Sequence, residues 1–183
     1  MKNIIIYAIF LLFAFQLTAQ ENSSDTVKVK SNELKINGLY LVLGAFDITY
    51  ERLLNEETGA GIDIFIPFDD EVNDDINFYL SPYYRFYFGK KHAAGFFVEG
   101  FGLLSSNNIE RINPLTGFDP SIDNSIIEET TTDFALGIGI GGKWITDSGF
   151  VGELDLGIGR NLTNNEFNED LIGKVSIVVG YRF

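Results

Sequence analysis

Alternation of apolar and polar residues dominates the chain from residue 34 to its end. In the last stretch, LIGKVSIVVGYRF, one face carries Val175, Ile177, Val179, Tyr181 and Phe183, and the other is mostly polar. A period of two marks a β-strand with one apolar face. Similar stretches predict eight strands, at residues 34–43, 46–54, 59–68, 76–88, 94–104, 132–145, 150–161 and 171–183.

The connections between these strands alternate in length. Short connections follow the second, fourth and sixth strands, at residues 55–58, 89–92 and 146–149. Longer connections follow the third, fifth and seventh strands, at 67–75, 105–131 and 162–170, while 44–45 is a short exception. Short turns at one end and long loops at the other are typical of transmembrane β-barrels.

The N-terminus predicts export from the cytoplasm. Lys2 precedes an apolar run at 4–15 and a small residue at Ala19, which is the layout of a signal peptide over residues 1–19. This run is shorter than the about 20 residues of a transmembrane helix. We expect a flexible periplasmic segment at 20–33 and a barrel at 34–183. The chain has no cysteine, which excludes disulfides and a lipid-anchored N-terminus.

The last strand resembles the C-terminal assembly signal of bacterial outer-membrane barrels, with Phe183 last, Tyr181 before it and apolar residues at alternate positions. The mature chain is similar in layout to the small OmpA-transmembrane-domain, OmpX and OmpW class. That resemblance implies an all-β, eight-stranded antiparallel transmembrane β-barrel with short periplasmic turns and longer extracellular loops. It implies a Gram-negative outer membrane as location, and outer-membrane lipid, lipopolysaccharide and the barrel-assembly machinery as partners.

Aromatic residues on the outward-facing positions predict two membrane-interface girdles. One belt is expected near the periplasmic ends of the strands, at Tyr50, Phe86, Phe88, Phe96, Trp144, Phe150, Tyr181 and Phe183. The other is expected near the extracellular ends, at Phe46, Phe68, Phe78 and Phe134.

The inward-facing positions collect charged residues from all eight strands. They are Lys35, Asp47, Glu51, Asp63, Arg85, Glu99, Lys143, Glu153, Asp155, Lys174 and Arg182. An eight-stranded barrel has an interior only wide enough for side chains. Since buried charges must be paired, the sequence predicts a near-neutral ion-pair network that fills the lumen.

Two positions fit this scheme poorly. Pro82 lies inside the fourth strand, where it cannot donate a ladder hydrogen bond, and we expect a bulge there. In the first strand Leu39, Leu41 and Leu43 share a face with Lys35, so Gly38 is expected to mark a register change.

Catalytic chemistry has little support in the sequence. Glu153 and Asp155 are spaced for acid–base work, but the lumen network explains them better. The single histidine, His92, lies in a predicted periplasmic turn. The run GIGIGGKW lacks the spacing of a phosphate loop, and its inward glycines relieve crowding in a narrow barrel. We therefore expect no enzyme activity and no cofactor.

The predicted loops are acidic. Asp69, Asp70, Glu71, Asp74 and Asp75 offer oxygen ligands for a cation such as Ca²⁺, although a solvated loop without metal explains them as well. The net charge of −13 argues against nucleic acid as a partner.

The 27-residue segment 105–131 is the expected recognition element for a surface ligand. Arg160 faces lipid near the outer rim, where it either contacts a lipid phosphate or snorkels to water.

Three functional hypotheses remain. The first is a non-enzymatic outer-membrane protein that serves membrane integrity or surface recognition through its loops. The second is a narrow channel or carrier for small molecules, as in OmpW-like barrels. The third is a lipid-modifying or proteolytic barrel enzyme, against which the isolated His92 argues. A soluble, exported β-sandwich, which would share the alternating pattern, is the structural alternative.

Overall fold

In a computed structural model of the protein, the described residues are 30–69, 76–112, 126–163 and 171–183. The predicted signal peptide, the lead-in up to residue 29 and four of the candidate metal ligands (Asp70, Glu71, Asp74 and Asp75) lie outside them. No helix within these ranges is long and apolar enough to cross a membrane.

Eight antiparallel strands form a single closed barrel, because each strand pairs with the next and β8 pairs with β1. This architecture confirms the predicted fold class and excludes a two-sheet sandwich. The strands are β1 (Asn32–Asn37), β2 (Ala45–Leu53), β3 (Thr58–Pro67), β4 (Ile76–Tyr87), β5 (Gly95–Ile112), β6 (Ile126–Ile145), β7 (Phe150–Asn161) and β8 (Leu171–Arg182).

The two ends of the barrel differ in their connections. Residues 54–57, 88–94 and 146–149 join strands by tight turns, and we call this the turn end. The opposite end carries the connections at 38–44, 68–75, 113–125 and 162–170, and we call it the loop end. Gly149 adopts a φ of 103°, and its N–H donates to the Thr146 carbonyl at 3.0 Å, which closes one of the turns.

The first predicted strand is too long, because a helix, α1 (Gly38–Leu43), follows β1. The Asn37 side chain caps this helix by accepting from the Leu39 N–H at 3.1 Å, and Gly44 ends it with a φ of 98°. All residues of α1 except Gly38 are apolar, so alternation there carried no information. The expected register change at Gly38 is a change of secondary structure instead.

The fifth predicted connection is partly strand. β5 and β6 stay paired with each other as far as the pair Ile112–Ile126. The pairing of β5 with β4 already ends at Asn107, and the pairing of β6 with β7 already ends at Ala135. Residues 108–112 and 126–130 therefore pair only with each other, and we call them the β5–β6 arm. Five residues per strand correspond to about 17 Å beyond the barrel wall.

Two smaller expectations are also corrected. The β4–β5 register is unchanged across Pro82, from the pair Leu80–Leu104 to the pair Tyr83–Phe101, so there is no bulge at the proline. The register shifts instead between Ile76 and Phe78. At the other terminus, β1 begins at Asn32, so the last two residues of the predicted flexible segment belong to the barrel.

Side chains alternate between the two surfaces of the wall, as in β2, where buried and exposed residues strictly alternate. All twelve predicted girdle aromatics are exposed, from Tyr181 at 41% to Phe88 at 65%. The assembly-signal residues Val175, Ile177, Val179, Tyr181 and Phe183 face outward as well. The outer surface of the wall is thus mainly apolar, and most of its charged side chains point inward.

Candidate functional site

The lumen contains all eleven charged residues of the predicted network. Ten are buried, with at most 5% of their surface exposed, and the side chain of Lys174 is 15% exposed. They converge because their strands present them at alternate positions around a closed wall. The lumen is therefore the candidate functional site.

Glu51 is the centre of the network. Its carboxylate lies 2.5 Å from Lys35 Nζ, 3.0 Å from Lys143 Nζ and 3.4 Å from Arg85 Nη1. The hydroxyl groups of Tyr83 and Tyr87 also donate to it, the former at 3.0 Å. One carboxylate thus accepts from groups on β1, β4 and β6.

Glu153 and Glu33 complete this turn-end cluster. Glu153 lies 2.9 Å from Lys35 Nζ, 3.0 Å from Lys143 Nζ and 2.8 Å from Arg85 Nη1. Glu33 lies 2.8 Å from Lys143 Nζ and 2.7 Å from Arg182 Nη2. The sequence-based interpretation missed Glu33, although it shares the inward parity of Lys35 just before the predicted strand.

A second group continues toward the loop end. Glu99 bridges two cations, at 2.6 Å from Arg85 Nε and 3.0 Å from Lys174 Nζ. Lys174 also lies 3.1 Å from Asp63, which accepts from the Thr49 hydroxyl at 2.7 Å. Asp155 is more weakly held, 3.8 Å from Arg85 Nη2.

Aromatic rings fill the space between the charges. The Arg85 guanidinium lies 4.2 Å from the ring centres of both Tyr83 and Phe97. Lys174 Nζ lies 5.3 Å from the ring centre of Phe101. These distances suit cation–π contacts.

The inward glycines of β6 make room for these rings. A Cβ at Gly141 would collide with the Phe97 ring and the Leu154 carbonyl, and one at Gly137 would collide with Phe101. The run GIGIGGKW therefore provides space on β6 for the large inward side chains that the neighbouring strand β5 places directly opposite these glycines.

The turn end is closed by its own connection. Arg182 donates to the backbone carbonyls of His92 and Ala93 at 2.7 and 2.8 Å, which holds the 88–94 turn across the opening. Ala93 is fully buried and packs with Leu53, Tyr87 and Phe97. Ala93 has a φ of 42°, so the turn stores backbone strain there.

The loop end contains a polar cavity of about 330 Å³. Tyr40 of α1, Tyr79 and Asp133 line it, and Tyr40 packs edge-on against Phe65 with ring centres 5.4 Å apart. Burial raises the pKa of the Tyr40 phenol, and nearby Asp47 raises it further.

The described lumen is more acidic than predicted. The buried carboxylates are Glu33, Asp47, Glu51, Asp63, Glu99, Asp133, Glu153 and Asp155. Five basic residues face them: Lys35, Arg85, Lys143, Lys174 and Arg182. The four glutamates have ion-pair partners at 3.0 Å or less, so the excess acid is aspartate in the loop-end half.

The candidate acid–base residues Glu153 and Asp155 lie in the ion-paired lumen, where Arg85 contacts both. Oxygens of Glu33, Glu51 and Glu153 lie within 4.8 Å of one another, but Lys143 Nζ already lies within 3.0 Å of all three carboxylates. Glu153 is part of this network, as the lumen interpretation expects. Of the acidic loop, the described residues include only Asp69.

These features define a class: a closed eight-stranded antiparallel barrel with an ion-paired, aromatic interior and an apolar exterior. Among solved structures, the chain is similar to the N-terminal β-barrel domain of Pseudomonas aeruginosa OprF, with 16% identity and a TM-score of 0.51. The match covers 84% of this chain and 98% of that one. It confirms the fold that the resemblance to OmpA-like barrels implies. No model of a known protein family and no curated protein matches the sequence.

Proposed function

We propose that the protein is a non-enzymatic outer-membrane barrel that serves membrane integrity or surface recognition. The observation that carries this proposal is the inverted distribution of polarity: Ile138, Leu156 and Trp144 are 61–70% exposed, whereas Lys143 and Glu51 are at most 1% exposed. A contiguous apolar exterior is a liability in water but suits a lipid bilayer.

The orientation follows the rule for outer-membrane barrels, which have short periplasmic turns and longer external loops. The turn end would then face the periplasm and the loop end the outside. The β5–β6 arm would project from the cell surface, where the outer edges of its two strands are available to a partner. Such long extensions exceed what barrel closure needs.

Heat-dependent gel mobility tests the membrane-barrel proposal. The mature chain, folded in detergent and loaded unheated, should migrate differently from the boiled sample, because a closed barrel resists dodecyl sulfate. It should also stay with liposomes after extraction at high pH. A mature chain that remains monomeric and soluble without detergent would overturn the proposal.

A further inference from the structure

The outward surface of β5, β6 and β7 contains a groove of about 680 Å³. Gly100 forms its floor, and an added Cβ there would have no heavy atom within 4 Å. Its walls are the half-buried side chain of Val98 and the exposed side chains of Ile138, Ile140, Leu156 and Ile158. We call this feature the Gly100 groove, and its volume lies within the about 300–1,000 Å³ range of small-molecule sites.

Arg160 lies at the loop-end side of this groove, two residues beyond Ile158 on the same face of β7. Its neighbours on the adjacent strands are Leu136 and Leu171, which are 50% and 60% exposed. Arg160 is itself exposed, and no carboxylate pairs with it among the described residues. An exposed guanidinium surrounded by apolar side chains needs an anion or water at the edge of the lipid-facing surface.

The position of Arg160 is unusual in this barrel. Outside the β5–β6 arm, Arg52 and Arg160 are the two basic residues of the described strands that face outward. Arg52 lies at the turn end, where it donates to Asn32 Oδ1 at 2.7 Å. Arg160 is thus the one outward cation near the loop end of the described wall.

We propose that Arg160 and the Gly100 groove bind lipid A, the phosphorylated glycolipid of lipopolysaccharide. Arg160 would take a phosphate by charge-assisted hydrogen bonds, and acyl chains would lie in the groove below it. The groove spans three strands, or about 10 Å across the wall. This width suits several parallel acyl chains better than a single acyl chain. This inference rests on the proposed outer-membrane orientation, and it adds the site and the ligand.

Native mass spectrometry of the detergent-solubilised mature protein tests the site, with bisphosphorylated lipid A, dephosphorylated lipid A and phosphatidylglycerol as separate probes. Bisphosphorylated lipid A should bind most tightly. Arg160→Gln should weaken its binding roughly tenfold or more, because a charge-assisted contact is lost. Gly100→Leu should weaken binding of the same probe by filling the groove.

Two matched variants control for general effects. Arg52→Gln removes the other outward arginine, and Ile48→Phe enlarges a side chain in a second apolar groove of about 620 Å³ formed by Leu34, Ile36, Ile48 and Val179. Both should bind lipid A as the wild type does. All variants should keep heat-dependent gel mobility, which shows that they are folded.

Several results would overturn the lipid A site. Among the variants, these are unchanged lipid A binding in Arg160→Gln, or a loss in Arg52→Gln as large as that in Arg160→Gln. Among the probes, they are an affinity for dephosphorylated lipid A or for phosphatidylglycerol equal to that for bisphosphorylated lipid A. A lipid-free dimer that Gly100→Leu abolishes would show that the groove binds a second copy of the chain instead. If the wild type enters liposomes but the binding measurements give one of these results, only the lipid A site is refuted. If it does not enter liposomes, the membrane proposal fails first.

Discussion

Glu51 shows what single residues contribute to this barrel. It is completely buried and accepts from three cations and two tyrosines, so its charge is compensated several times over. A complete buried ion-pair network adds little net stability over an apolar filling, but removal of one member leaves the others uncompensated.

Glu51→Gln should therefore reduce the free energy of unfolding by about 3–5 kcal/mol, because Lys35 and Lys143 lose one of the two carboxylates that they share. Urea unfolding in lipid vesicles, followed by tryptophan fluorescence of Trp144, measures the change. The matched control is Glu56→Gln in an exposed turn, which should shift stability by less than about 0.5 kcal/mol. Equal effects of the two variants would contradict a central role for Glu51.

At this scale the sequence predicted which residues face inward but not which of them meet. Parity alone placed Lys35 and Glu153 on the inner surface. Their 2.9 Å contact joins residues 118 positions apart, and it depends on strand tilt and stagger that no local pattern contains. Glu33 was missed for a simpler reason, since the predicted strand began two residues after the start of β1.

Strand elements were predicted more accurately than their ends. β7 begins and ends at the predicted residues. The end of the first predicted strand is instead the helix α1, and the sequence did not reveal it because an unbroken apolar run has no period that separates helix from strand. The β5–β6 arm was missed because a strand pair that extends beyond the barrel wall needs no apolar face, so its sequence resembles that of a loop.

The arm should be dispensable for folding, because its strands pair only with each other. Replacing residues 109–129 with Asn-Gly would join Asn108 to Thr130, a directly opposed pair, through a turn that suits hairpins. We expect unchanged heat-dependent gel mobility and loss of any surface binding. As a control, the same replacement of Asp147–Ser148 in a turn-end hairpin should leave surface binding intact. A barrel that no longer folds without the arm would show that the arm is structural.

As a whole, the described part of the chain is a barrel whose turn-end half is filled by side chains. The 88–94 turn covers the turn end, the turn-end cluster around Glu51 lies above it, and a cavity of about 330 Å³ lies at the loop end. The narrow-channel hypothesis requires a continuous aqueous path past these groups.

Planar-bilayer recordings should accordingly show no stable conductance for the wild type. Arg85→Ala removes the side chain that joins Glu51, Glu99 and Glu153, and it should produce measurable openings if the barrel remains folded. A porin inserted in the same membrane controls for sensitivity. Stable wild-type currents would favour the channel hypothesis instead.

The contact between Arg182 and Glu33 has a consequence for biogenesis. It joins residues 149 positions apart across the β1–β8 seam, and Lys143 reaches the same glutamate from the far wall. A sheet that entered the bilayer unclosed would expose these charges to hydrocarbon, at a cost of several kcal/mol for each. In the membrane location that we propose, seam closure should therefore be coupled to membrane entry, because each charge would otherwise meet hydrocarbon without its partner.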